Sequence, residues 1–278
     1  MSRLSVRLRT PEYMSLWQQA GIVFFGYLLL VIGARWLLRR HPATRATRLR
    51  LAVGGSVLGI AAVLFVERTT QPAILMEWLW PPAILLLAYW TSGLLFVRPV
   101  GWQERMLVWL DDRLHIRAAA RSIPRIGAEF LEAAYVGVYP LVLVGFLTHV
   151  MCAPRPDPAR FWAVVLVTDF ICFGFLPWVQ TRPPRALESS EPWSATTRTL
   201  NLRLLGATSI NVNTFPSGHA AEALVVALLT IGAPVPVVLL MFAGAFAVSA
   251  GAVLGRYHYL ADALAGWVVA GLVWMWIG

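Results

Sequence analysis

Two histidines stand where imidazole chemistry is worth having. His219 closes the run Pro216-Ser217-Gly218-His219, and His258 opens the run His258-Tyr259-Leu260-Ala261-Asp262. Each leads directly into an apolar stretch. Proline favours the first turn of a helix, and first-turn N–H groups lack intrahelical partners, which makes a ready anion site. Gly218 lets an anion approach the backbone closely, and the Ser217 hydroxyl adds a donor. Asp262 follows His258 at i+4, so on a helix the two side chains lie one above the other. A carboxylate there fixes an imidazole tautomer and stabilises its cation. Upstream, Arg182-Pro183-Pro184-Arg185 offers guanidinium groups that bind phosphate through forked contacts, and Arg256 stands two residues before His258. One histidine attacking phosphorus while another protonates the leaving oxygen is phosphoryl-transfer chemistry.

The elements that must position these groups are membrane helices. The chain has 278 residues, 58% hydrophobic and 13% charged. Soluble domains carry about 25% charged residues, so an ordinary cytosolic protein is excluded. The aromatic content excludes a disordered chain. Net charge is +9, and all 23 basic residues are arginine, so no lysine mechanism is available. No basic stripe sits on a soluble module, so nucleic acid is not an expected partner. Arginines in loops flanking spans meet lipid headgroups instead.

About 20 apolar residues cross a bilayer core as helix, and eight stretches qualify. They run from about 16 to 38, 51 to 66, 78 to 97, 130 to 150 and 161 to 178. A long uncharged segment, 223–255, is broken by Gly232-Ala-Pro-Val-Pro236 into spans six and seven, and span eight follows Asp262. The fold expected is an all-α polytopic bundle. Residues 101–115 separate apolar from charged residues at helical spacing and read as an interfacial helix. Residues 180–214 read as a long polar loop, of the kind that is usually functional in a compact protein. Two spans separate His219 from His258, so both return to one membrane face, and the Arg182/Arg185 loop joins them there.

Other polar residues carry blander expectations. His41, His115 and His149 are interface or surface residues. Cys152 and Cys172 are structural. Asp169, in mid-span five, must face the bundle and is expected to hydrogen-bond a neighbouring helix. Glu222, one turn after His219, lines the cavity or serves as a helix N-terminal acid. Trp78, Trp80, Trp274 and Trp276 read as interface belts.

The two histidine runs resemble the second and third signature motifs of the type-2 phosphatidic acid phosphatase superfamily, and Arg182-Pro-Pro-Arg185 resembles the first. The likeness is close over roughly the last hundred residues. It implies a six-helix catalytic core, residues 78–278, behind an N-terminal membrane extension of two helices, residues 1–77. It implies His258 as nucleophile forming a phosphohistidine, Asp262 orienting it, and His219 as general acid. Ser217, Gly218 and Arg182 would hold phosphate, with Arg185 and Arg256 as further cations. No metal and no cofactor is implied. Two positions depart from the pattern. The lysine usual seven residues before the first-motif arginine is Phe175 here, and the arginine usual six before the nucleophile is Ala252. Both departures resemble the inositolphosphoryl ceramide synthase-like branch. The implied activity is hydrolysis of a lipid phosphate or polyprenyl pyrophosphate, with transfer to an alcohol acceptor as the alternative. A bis-histidine haem protein and a non-catalytic scaffold are remoter alternatives. The resemblance implies an outward-facing site in a bacterial plasma membrane. The arginine distribution, densest in the loops on the site's side, argues for the cytoplasmic face.

Overall fold

In a computed structural model, described for residues 14–37, 43–68 and 78–278, the chain is helical throughout. His41 lies outside the described residues. The helices are α1 (Leu16–Leu37), α2 (Ala43–Arg68), α3 (Trp80–Gly93), α4 (Gly101–Arg113), α5 (Ile116–Ser122), α6 (Arg125–Val136), α7 (Val138–Cys152), α8 (Pro158–Gly174), α9 (Thr196–Thr208), α10 (Gly218–Leu229), α11 (Val235–Leu254) and α12 (Leu260–Ile277). Among the described residues α1, α2, α11 and α12 are long and apolar enough to cross a membrane, and α6 with α7 make a bent fifth. The chain is a polytopic helical membrane protein.

The bundle is organised around α10. At ~1.5 Å per residue this 12-residue helix falls well short of a bilayer core of about 30 Å. It is enclosed instead by α7, α8, α11 and α12. Protein rather than lipid therefore surrounds its polar N-terminus, the arrangement unpaired backbone groups need at membrane depth. Alanines along α10 and glycines on its neighbours allow the close approach. A Cβ at Gly266 of α12 would stand 2.6 Å from the Ser217 carbonyl oxygen, and one at Gly145 of α7 would collide with Val226 of α10. α1 and α2 pack on each other and reach the bundle through α8 and α3.

Two elements differ from the sequence expectation. The stretch 130–150 is not one straight span, because α6 and α7 meet at 60° about Gly137. Pro140 lies in the first turn of α7. It cannot donate to Val136, so the α6 ladder has no continuation there. The polar loop 180–214 also contains a helix, α9. Its Arg198, Asn201 and Leu205 are buried, and the polar two bond an acid on α6. Local hydrophobicity carries no sign of this helix, since polar contacts hold it.

Candidate active site

The three loops that carry the chemistry are tied to one another before any side chain is considered. The Ser217 N–H donates to the Asp262 carbonyl at 2.9 Å, and the Arg185 N–H to the Arg256 carbonyl at 3.0 Å. The Asn213 N–H donates to the Thr181 carbonyl at 3.1 Å, and its side-chain amide to Thr181 Oγ1 at 3.0 Å. The starts of α10 and α12 and the 181–186 loop are thus one assembly, and the histidine rings meet at a centroid distance of 6.1 Å.

His258 is buried at 5% exposure, in the turn between α11 and α12, where its N–H and that of Tyr257 both donate to the Ala252 carbonyl. Its Nδ1 faces Asp262 Oδ2 at 3.5 Å, so Nε2 is the nitrogen free to meet a substrate. Asp262 is fully buried. Its Oδ2 also accepts from the Tyr259 N–H at 2.8 Å, capping α12, so one carboxylate both starts the helix and aligns the ring.

His219 is half-buried, and its setting was not legible in the sequence. Tyr135 stacks on it with centroids 5.2 Å apart, Tyr257 stacks on Tyr135 at 4.1 Å, and the Tyr139 ring stands edge-on at 5.7 Å. The Tyr139 hydroxyl is 3.5 Å from His219 Nε2. Both Tyr135 and Tyr139 reach the ring because α6 and α7 bend between them. Ser217 is the N-cap of α10, its hydroxyl accepting from the Ala220 N–H at 3.4 Å. The earlier N–H groups of that turn have no intrahelical partner by geometry. Gly218 is small for a packing reason as well. A Cβ there would meet Phe173 Cε1 at 3.1 Å and Asp169 Oδ1 at 3.2 Å.

The three arginines have different surroundings. Arg182 is held in a fork by Glu104 of α4, Nε to Oε1 at 3.0 Å and an Nη to Oε2 at 2.9 Å. That contact holds the Glu104 carboxyl below its ordinary range and raises Arg182. Arg256 is buried between Asp111 of α4 at 2.7 Å and Glu188, also at 2.7 Å. Burial raises Asp111 despite that partner. Its other oxygen accepts from the Leu260 N–H at 3.1 Å, at the first residue of α12. Arg185 makes no ion pair among the described residues. Its guanidinium lies 5.2 Å over the Tyr257 ring, and its charge reaches His219. So of the arginines expected at the phosphate, Arg185 is the one beside the histidines with its charge uncommitted, while Arg182 and Arg256 are bound to acids. Phe175, at the position where a lysine is usual, is a half-exposed cap of α8. Ala252 is fully buried.

Sequence reasoning missed the acids that organise the site. Glu104 and Asp111 are seven residues apart on α4, hence on one face, and both are buried. Glu132 of α6 is buried and accepts from Trp193 at 2.8 Å, Arg198 at 2.7 Å, Asn201 at 2.7 Å and the Tyr257 hydroxyl at 2.6 Å. Burial and this carboxylate together raise the Tyr257 phenol. An acid in an apolar run was the available signal. The other histidines lie elsewhere. His115 starts α5 with φ +56°, and His149 bridges the Leu229 carbonyl and the Asp157 N–H. Asp169 corrects an expectation, because among the described residues it makes no hydrogen bond to a neighbouring helix and its Oδ2 has no partner.

A cavity of about 390 Å³ opens beside His219, walled by Leu85, Leu86, Tyr89, Trp90, Phe173 and Leu204, with Gly218, Glu222, Thr214 and Tyr139 at its polar end. Leu86, Trp90 and Tyr139 are each close to half exposed, so it is reachable from the lipid side. Among the described residues no group of three or more His, Cys, Asp or Glu side chains has the spacing of a metal site. An apolar chamber that reaches His219 and the start of α10, with His258 a further 6.1 Å away between ring centroids, suits an amphiphile with a phosphorylated head. Comparison with curated proteins and with solved structures finds no match. The profile described as the PAP2 superfamily matches residues 105–276, a stretch that holds both histidines, Asp262 and the three arginines. With that profile covering more than half of its length, the chain belongs to the PAP2 superfamily.

Proposed function

We propose that this chain hydrolyses the phosphate or pyrophosphate of a membrane lipid through a phosphohistidine. The observation that carries the reading is the pairing of His258, aligned by Asp262 at 3.5 Å, with His219 across 6.1 Å at the mouth of an apolar cavity. His258 Nε2 attacks phosphorus, the phosphorus–nitrogen bond forms, and the bond to the lipid oxygen breaks. His219 delivers its proton to that oxygen. Asp262 stabilises the charge that develops on His258. Arg185 and the N-terminus of α10 hold the non-bridging oxygens, Ser217 shapes that terminus as its cap, and Gly218 keeps it open. Water then attacks phosphorus, His219 takes its proton, and the phosphorus–nitrogen bond breaks. Arg182 and Arg256 act through the acids they bind, fixing the 181–186 loop and the start of α12 on α4.

Transfer to an alcohol in place of water is the second reading. The observation favouring it is the replacement of two cations usual in the hydrolases by Phe175 and Ala252, a departure shared with the synthase-like branch. The test is phosphate release in detergent with EDTA over phosphatidic acid, polyprenyl pyrophosphate and lysolipid phosphate, with His258→Ala alongside. Release that the variant abolishes supports hydrolysis. No release by wild type from any of the three refutes it and turns the assay to alcohol acceptors. The family resemblance supports a site on the outer face of the plasma membrane. Cysteines introduced in 186–200 should react with an impermeant reagent in intact cells, and labelling only after lysis would reverse the orientation.

A further inference from the structure

The mechanism leaves one group in the cavity without a task. Glu222 lines the wall one turn beyond His219, is 9% exposed, and makes no hydrogen bond or ion pair among the described residues. Asp169 stands behind it on α8, 2% exposed, with Oδ2 unpartnered. Asp169 Oδ1 lies 3.2 Å from where a Cβ on Gly218 would stand, and Gly218 is one turn before Glu222 on the same face of α10. A buried carboxyl without a partner is costly at membrane depth, and here two face the same side of α10. Several of the other polar wall groups are occupied. The Tyr89 hydroxyl pairs with Ser209 Oγ at 3.2 Å, and Thr208 donates to the Leu204 carbonyl. Glu222 is therefore the one carboxyl on the wall, open to hydrogen bonding in a chamber lined mostly by apolar side chains.

We propose that Glu222, backed by Asp169, accepts a hydroxyl group of the molecule held in this cavity, and so selects an alcohol-bearing substrate over a plain hydrocarbon one. His219 and Glu222 are three residues apart, which puts their Cβ atoms about 5–6 Å apart on one face of α10. Because His219 meets the ester oxygen, the hydroxyl lies one or two carbons from it. This placement rests on the proposed function. The same chemistry can come from the phosphorylated lipid itself or from an acceptor alcohol.

The experiment compares 1-oleoylglycerol 3-phosphate with its chain-matched analogue lacking the 2-hydroxyl, in wild type, Glu222→Leu and Glu222→Gln. Phosphate release is one arm, and transfer to glycerol in competition with water is the other. Wild type should favour the hydroxylated lipid by about tenfold or more in kcat/KM. Glu222→Leu should bring the ratio to near one, while Glu222→Gln, which keeps an acceptor oxygen and covers the case of a leucine variant that fails to fold, should retain part of it. If instead the glycerol yield falls with Glu222→Leu while the lipids are used equally, the hydroxyl belongs to the acceptor and the assignment stands. Equal use of both lipids by wild type with a glycerol yield that Glu222→Leu leaves unchanged overturns it. Equilibrium binding of the two dephosphorylated alcohols separates this inference from the proposed function. Tighter binding of 1-oleoylglycerol without turnover of either phosphate sinks the hydrolase reading alone. Turnover of both lipids with equal binding, and no effect of Glu222→Leu on the glycerol yield, sinks the role of Glu222 alone.

Discussion

Replacing Asp262 by asparagine isolates the charge behind the nucleophile from the helix it caps. The carboxylate sits 3.5 Å from His258 Nδ1, and as His258 attacks phosphorus the ring takes on positive charge. Two unit charges at that distance interact by about 5 kcal/mol at an effective dielectric constant of 20. At about 1.4 kcal/mol per decade of rate this is an upper figure near three and a half decades. The asparagine carbonyl recovers part of it, so the expected loss in kcat is about 10³-fold. The same oxygen can still accept from the Tyr259 N–H, now at 2.8 Å, so thermal stability should change little. Asp262→Ala loses the cap too and should lose about 1 kcal/mol of stability besides. The assay is initial-rate phosphate release from lipid phosphate in mixed micelles at saturating substrate, with thermal unfolding of the same preparations. The pairing would also show in rapid-quench trapping, where Asp262→Asn should accumulate labelled phosphohistidine more slowly than wild type. An Asp262→Asn enzyme within tenfold of wild type, with its fold intact, would refute the alignment of His258 by Asp262.

Arg185→Ala should weaken catalysis by about 10²-fold, the scale for one group that stabilises transition-state charge. Arg182→Ala, whose guanidinium is already held by Glu104, should act mainly on thermal stability. Equal kinetic losses in the two would contradict the division of roles. Glu132→Ala removes the buried carboxylate shared by Arg198, Trp193, Asn201 and Tyr257, leaving Arg198 with Glu191 and the Gly255 carbonyl, and should cost about 3–5 kcal/mol, read as a loss of folded protein or a large fall in Tm. Gly266→Ala should push α12 off the Ser217 carbonyl, where a Cβ would stand at 2.6 Å. The expected cost is about 1–3 kcal/mol, with activity falling as the histidines separate. The Glu104–Arg182 contact has a pH signature. Because Arg182 depresses the Glu104 carboxyl in the folded state, its stabilisation is fully present above the ordinary glutamate pKa and disappears as pH falls through the lowered folded value. Wild type should lose Tm in that acid range, and Glu104→Gln should lose less of it there.

Much of the architecture was readable from residue order. Apolar stretches separated by arginine-bearing loops marked the helices, because hydrocarbon tolerates little else. The breaker Gly232-Ala-Pro-Val-Pro236 correctly divided α10 from α11, since proline and glycine act locally. The amphipathic run at 101–115 announced α4, which ends two residues earlier at Arg113. The bend between α6 and α7 was less visible. Pro140 signals a break but not its angle, which packing against α10 decides. α9 was invisible because its stabilising partners, above all Glu132, lie about 70 residues away, and no window of sequence contains both.

The sequence by itself determined that this is a helical membrane protein, and that Ser217, Gly218, His219 and Asp262 stand at helix starts. Both follow from local composition and from i to i+4 spacing. His258, expected on the same helix as Asp262, lies instead in the turn just before α12. Tertiary structure alone decided which arginine stays uncommitted. Three guanidinium groups of the same type lie within the site's loops, and only the fold brings Glu104 to Arg182 and Asp111 to Arg256 while leaving Arg185 on Tyr257. It alone joined Tyr135, Tyr139 and His219, and set Glu222 and Asp169 against an apolar cavity. A charge's role depends on what it meets, and those meetings are made by residues far apart in the chain.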